Sequence, residues 1–384
     1  MRAVEPRNPS SRDLSLLHRL FPSAISWPVV LLFTAFLTLS LWITPVAAQK
    51  LDGPEDKSGA DGNAAGKAFQ DTDTSLPDQL EIRVWRIPWG GRPRDPFVDS
   101  RGSVWFCGQA GNYIGRLDPS TGDLKQFEVP ENSHPHNLVV DPEGHIWYAG
   151  NRNAHIGRLD PSNGGIRRFS MPEGVDDPHT LVLNGEGNIW FTAQHSNRIG
   201  LLDTGSGRVR SVQPSVAGAR PYGIKLDSDD HPWVALFGTN RLARVDPDTM
   251  QLTEFELPRP DGRPRRLEID ERGDIWYVDY VGGFLGRYQP ESDRFAEWRL
   301  PGDSPRPYGT ALDNRGHLWV VDTGVMPNRV LGFDLGRQEF FSSSPVPGGG
   351  NVRHMYFDPA ESAFWFGVDA GYLARGRPKA GTGR

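Results

Sequence analysis

Seven positions in this sequence share one frame but differ in chemistry. Six of them follow a proline, namely Arg94, His136, His179, Tyr222, Arg265 and Tyr308, and the seventh, Arg353, follows Val352 in an equivalent phrase. A position that served only packing would repeat its residue, whereas these alternate among guanidinium, imidazole and phenol. Neutral imidazole can take a proton or ligate a metal, and a phenol can return a proton, so His136, His179 and Tyr308 are the candidate catalytic residues. Arg94, Arg265 and Arg353, with Tyr222 and the adjacent His354, are the candidate ligand-binding set. Guanidinium forks match carboxylate, phosphate or sulfate, and Arg220 and Arg306, just before their prolines, add to that character. Asp279 and Asp322 offer oxygen ligands of the kind a hard divalent cation requires. No G-x-S-x-G, P-loop or C-x-x-C motif occurs, which leaves hydrolase-triad, nucleotide-phosphate and thiol-redox chemistry without support.

The frame itself is a repeat. "PHNLVVDPEGHIWYAG" from Pro135 returns as "PHTLVLNGEGNIWFTA" from Pro178, and Trp105, Trp147, Trp190, Trp233, Trp276, Trp319 and Trp365 recur at spacings of 42, 43, 43, 43, 43 and 46. Each unit reads as a short apolar run, an Asp/Gly-rich turn, a Trp strand, a phrase such as "IGRLD", and a closing run such as "LKQFEVP". Four short strands in about 40–45 residues make one propeller blade. Seven copies therefore predict an all-β fold, a seven-bladed β-propeller over 79–376. The seventh copy stops before a fourth strand, and "LEIRVWRIP", Leu80 to Pro88, has the missing pattern. An N-terminal strand is thus expected to complete the last blade and remove an open sheet edge. The Trp series is expected in the core. Asp118, Asp160, Asp203 and Asp246, at the ends of the "IGRLD" phrases, are expected to bind turn amides.

Upstream, an uncharged apolar run from Pro28 to Ala48 follows a leader with four arginines and ends in "VAAQ". Residues 1–48 read as a signal peptide cleaved after Ala48, or as an uncleaved membrane anchor. Both place the rest in the periplasm or outside the cell. Residues 49–78 read as a flexible linker and 377–384 as a disordered tail. The single Cys107 excludes an internal disulfide, and a net charge of −6 argues against nucleic acid as a partner. A monomer meeting a small or carboxylated molecule at the channel mouth is expected, with membrane contact only through an uncleaved leader.

The phrases "SVWFCGQAGNYIGRLD" (from Ser103), "NIWFTAQHSNRIGLLD" (from Asn188) and "RPYGIKLD" (from Arg220) resemble the virginiamycin B lyase family, also called streptogramin B lyases. The resemblance runs through all seven repeats. It implies a seven-bladed propeller and a magnesium-dependent C–O elimination that opens the ester of a cyclic depsipeptide without adding water. It also implies a histidine directly after the blade proline paired with a glutamate three residues beyond the Trp of that blade. Here His136 is matched with Gly150 and His179 with Ala193, while Asp279 and Asp322 lie in the blades of Arg265 and Tyr308. The family pair is split. Two functional classes follow: a magnesium-dependent lyase, or a non-catalytic propeller that binds a ligand or protein.

Overall fold

The structure is a computed structural model that describes residues 76–379. The expected leader, most of the expected linker and residues 380–384 lie outside the described residues. Within them, 28 strands, numbered β1–β28 in chain order, form seven four-stranded antiparallel sheets. Among the described residues there are no helices, and none long and apolar enough to cross a membrane. The first blade is β2 (Pro93–Val98), β3 (Val104–Gly108), β4 (Tyr113–Leu117) and β5 (Leu124–Glu128), in that order from the inside outward. Five more blades repeat it. The seventh consists of β26 (Val352–Asp358), β27 (Ala363–Val368), β28 (Tyr372–Pro378) and, as its outer strand, β1 (Leu80–Arg86). The fold is the seven-bladed propeller that the repeat predicts, closed by the strand expected to close it.

Closure is a seven-residue ladder running from Leu80↔Pro378 to Arg86↔Tyr372. It carries β28 through Arg377 and Pro378, two residues placed in the tail on sequence grounds, because Leu80 and Glu81 supply them with a partner strand. Leu80 and Trp85 are buried, and the Trp85 ring lies 5.1 Å from Trp365. Gln79 and Leu80 also donate their amides to Ser344 Oγ at 3.1 Å, which ties the closing strand to the neighbouring blade.

The repeated letters act within and between sheets. All seven Trp side chains are between 0% and 3% exposed, and seven apolar clusters hold the blades together in neighbouring pairs. The turn Asp six residues before the Trp accepts the indole N–H in five blades: Asp99, Asp141, Asp227, Asp270 and Asp313, at 2.8–3.0 Å. Its other oxygen receives the amide four residues on, as His145 N to Asp141 Oδ1 at 2.7 Å. One carboxylate thus shapes the turn and satisfies the indole inside the sheet. The aromatic after the Trp explains the glycine of the "IGRLD" phrase. Phe106, Tyr148, Phe191 and Tyr277 lie opposite Gly115, Gly157, Gly200 and Gly286, and a Cβ on any of these glycines would overlap the ring. At the ends of these phrases, Asp118 Oδ1 accepts Ser120 N at 2.9 Å and Asp160 Oδ1 accepts Ser162 N at 2.9 Å, the expected turn role.

Removal of Leu80–Pro88 is expected to abolish cooperative thermal unfolding followed by circular dichroism, because β28 would become an open edge and Trp365 would lose its stacked partner. Asp270→Ala is expected to cost about 1–3 kcal/mol in urea denaturation, since it strands the buried Trp276 indole N–H and two turn amides; an unchanged midpoint would refute that role.

Candidate functional site

Six inner strands enter the sheet at a proline and the seventh at Val352, and each then bulges. All seven inner pairs shift register within three residues of that point, as between Pro135 and Leu138 or Pro178 and Leu181. A regular strand would send the two residues after the proline to opposite faces, whereas a bulge re-aims one of them. Both then meet partners from other blades across the axis, in two layers.

The first layer is the post-proline set. All seven members are buried, at 3–7% exposure. His136 on β6 (Pro135–Val140) and His179 on β10 (Pro178–Leu183) lie with ring centroids 3.7 Å apart and planes tilted by 37°. His179 lies 4.3 Å from the ring of Tyr222 on β14 (Pro221–Leu226). The Tyr222 hydroxyl meets that of Tyr308 on β22 (Pro307–Leu312) at 2.5 Å. Over this pair lies Arg265 of β18 (Pro264–Ile269), whose Nη2 donates to Tyr308 Oη at 3.0 Å and to Tyr222 Oη at 3.4 Å. Its guanidinium carbon is 3.8–4.9 Å from the ring centroids of Tyr308, Tyr280, Phe237 and Tyr222. Arg265 has no carboxylate partner among the described residues. Arg94 pairs with Asp95 at 2.9 Å, and Arg353 donates Nε and Nη2 to Asp369 Oδ2 at 3.0 and 2.9 Å.

The second layer is a polar floor centred on Asp95. Its Oδ1 accepts from Arg94, and its Oδ2 accepts from Asn137 Nδ2 at 3.0 Å and from Arg266 Nη2 at 3.4 Å. Arg266 also reaches Thr180 Oγ1 at 3.4 Å, and Asn137 Oδ1 accepts Leu181 N at 2.8 Å. Burial alone would raise the Asp95 pKa, but Arg94, His354 and Arg266 outweigh it and hold the carboxyl far below its usual range. His354, expected among the ligand-binding residues, belongs to this floor. Burial pushes its pKa down to about 3 against the pull of Asp95.

The two histidines of the first layer are held neutral. Burial, then Arg94 for His136 and Arg266 for His179, depress both well below 6.5. Neither touches a carboxylate. Asp279 and Asp322, the expected cation ligands, are fully buried and committed elsewhere. Asp279 accepts from Arg259 Nη2 at 2.8 Å and from the amides of Arg263, Val281 and Gly282. Asp322 accepts from Arg306 N at 2.7 Å, Gly324 N at 2.9 Å and Arg329 Nε at 3.1 Å. Each anchors a loop beside the proline that it faces across the ladder, Pro264 and Pro307. A magnesium ion needs hard oxygen ligands with free lone pairs. The axis instead gathers Arg94, Arg265, Arg266 and Arg353, and both Asp95 oxygens are taken. The donor set does not suit that ion. The two acidic turn groups, Asp141/Glu143/His145 and Asp227/Asp229/His231, lie at the other end of the inner strands.

Sequence reasoning missed Asp95, Asn137, Thr180 and Arg266, although the second residue after the proline varies as the first does. It also missed Phe237 and Tyr280, each four residues beyond its Trp.

A seven-bladed propeller with an axial, arginine-rich polar site is the class that these observations define. The family model of the virginiamycin B lyase family matches residues 75–326, and the chain belongs to that family. No curated protein sequence matches it. Among solved structures it is similar to virginiamycin B lyase from Staphylococcus aureus, with a TM-score of 0.72 and 21% identity over 78% of this chain and 100% of that one. A streptogramin B lyase structure gives a TM-score of 0.72 and 23% identity, over 78% and 98% of the two chains. The extracellular domain of a putative hybrid two-component system from B. thetaiotaomicron gives 0.63 and 16%, over 78% and 43%.

Five buried or half-buried imidazoles are expected to make stability fall in acid. His134 and His155 are pushed down to about 4 by burial with neighbouring arginines, His354 to about 3, and His136 and His179 well below 6.5. Unfolding frees each to protonate near 6.5, so the folded chain binds fewer protons than the unfolded one below that pH. Stability is expected to be complete above pH 6.5 and to fall between 6.5 and about 4, read as a declining Tm. His136→Gln with His179→Gln should flatten that decline; an unchanged slope would refute the assignment.

Proposed function

We propose that the axial cluster of post-proline side chains binds a small organic anion, with Arg265 as its anchor. The observation that carries this reading is the state of that guanidinium, which is 6% exposed and compensated only by aromatic faces and two phenol oxygens. A buried cation without a carboxylate is costly, and an incoming carboxylate or phosphate relieves that cost. Nε of Arg265 and one terminal nitrogen of Arg94 have no acceptor within the chain and supply donors for it. The tilted rings of His136, His179 and Tyr222 line the side of the anion site.

A lyase reading is the second. It is supported by family membership and by His179, an imidazole kept unprotonated by burial at 4.3 Å from the Tyr222 ring. In it, His136 or His179 removes a proton next to a carbonyl that Arg265 polarises, and Tyr308 returns a proton to the leaving oxygen. A related structure holds a catalytically inactive virginiamycin B lyase with quinupristin, which makes such a depsipeptide the first compound to try. The chain is also read as acting outside the cytoplasm, in keeping with its N-terminal sequence and with the extracellular propeller of the two-component protein.

Titration calorimetry with mono-, di- and tricarboxylates is expected to show binding that weakens as salt is raised. Arg265→Gln should lower affinity roughly tenfold to a hundredfold, the range for losing a charged hydrogen bond, and an unaffected variant would remove Arg265 as anchor. Incubation with a streptogramin B depsipeptide separates the readings: a ring-opened product of unchanged mass establishes the elimination, and none leaves binding alone. N-terminal sequencing of exported protein should begin near Gln49.

A further inference from the structure

The Tyr222–Tyr308 pair has a feature that anion binding alone does not use. Two phenols from blades four and six meet hydroxyl to hydroxyl at 2.5 Å at a fully buried point, under a guanidinium that donates to both oxygens. Only one of them can donate to the other, so the second proton has no acceptor between them. Every charged side chain facing the pair is cationic or already paired. Arg265 and Arg266 come from β18, Arg94 from β2 and Arg353 from β26, while Asp95 and Asp369 are spent on Arg94, Arg266 and Arg353. The neighbouring imidazole of His179 is neutral, and Tyr280 presents its ring to Tyr308 at 5.8 Å.

We infer that Tyr222 and Tyr308 are the proton-exchanging centre of the axial cluster: the pair gives up one proton to become a shared phenolate, the internal counter-ion of Arg265, and regains it when an external anion takes that place. The change balances as one anion and one proton bound together, with the phenolate becoming a phenol and Arg265 keeping its charge. The exchange step rests on the anion-binding reading; the ionisation does not.

Electrostatics point the same way. Burial opposes ionisation of Tyr222, but Arg265, Arg266 and Arg94 outweigh it and bring its pKa down to about 8 from the usual 10.0. Burial keeps Tyr308 above the usual value, so Tyr308 is the proton donor to a Tyr222 phenolate. Burial also raises Tyr113, Tyr148, Tyr277, Tyr288 and Tyr356, which clears the window in which the pair titrates.

The test is an ultraviolet difference titration of the intact chain without ligand, following tyrosinate absorbance. One equivalent per chain is expected with a midpoint near 8. Tyr222→Phe should abolish it, Tyr308→Phe should move it upward, and Arg265→Gln should raise it by roughly a pH unit or more, each with an unchanged circular dichroism spectrum. Tyrosinate appearing only near 10.0 in the parent chain would overturn the inference. Calorimetry with citrate, in buffers of different ionisation heat, should then show uptake of about one proton per citrate, and affinity falling roughly tenfold per pH unit above the midpoint. Early tyrosinate in a chain that binds no carboxylate upholds the ionisation and overturns the anion-binding reading. Carboxylate binding without early tyrosinate overturns the inference and leaves that reading standing.

Discussion

Seven sheets meeting at one axis must settle their charges there, and that constraint organises this protein. Four arginines, Arg94, Arg265, Arg266 and Arg353, arrive at the axis from three blades and are all nearly excluded from water. Buried charge is tolerated only when paired or hydrogen-bonded. Asp95 takes two of them, Arg94 from its own strand and Arg266 from across the ring, and Asp369 takes Arg353. Arg265 remains, held by four aromatic faces and two phenols. Four guanidiniums against two carboxylates leave the axis net positive, and Arg265 is the one of the four without a carboxylate among the described residues.

The backbone that delivers these side chains is built from the parts of the repeat that do not vary. A turn Asp bonded to the indole of its own blade, an aromatic ring over a glycine, and a Trp packed against the next sheet recur because each solves the same local problem in each blade. The two departures make the point. In the third blade the turn residue is Asn184, whose Oδ1 accepts turn amides, leaving an amide nitrogen that cannot accept from Trp190. In the seventh an extra residue separates Asp358 from Trp365, and that indole also lacks a partner. Both remain buried in place, so packing rather than the indole bond seats the Trp.

Family membership and site chemistry separate in the same way. The position three residues beyond the Trp, an acid in the family's catalytic pair, holds Asp279 and Asp322 here. Both face the prolines of their own blades and are drawn into loop arginines and amides. The histidines sit two and three blades away with neutral partners. The chain keeps the family's frame, while its two acids at that position serve loops.

The sequence by itself determined the blade count, the four-strand unit, the closing strand and the seven residues that converge, because each follows from a period or from a variable letter in a constant frame. It could not show that the post-proline residues are buried, that Asp95 lies among them, or that Asp279 and Asp322 point into loops. Those outcomes depend on the bulge at the start of each inner strand, which re-aims one of two successive side chains, and on contacts between strands as far apart as Asp95 and Arg266. Only ring closure brings such residues to hydrogen-bond distance. Once there, the balance of burial against neighbouring charge, and not residue type, set which groups are neutral, which are paired and which is left to meet a ligand.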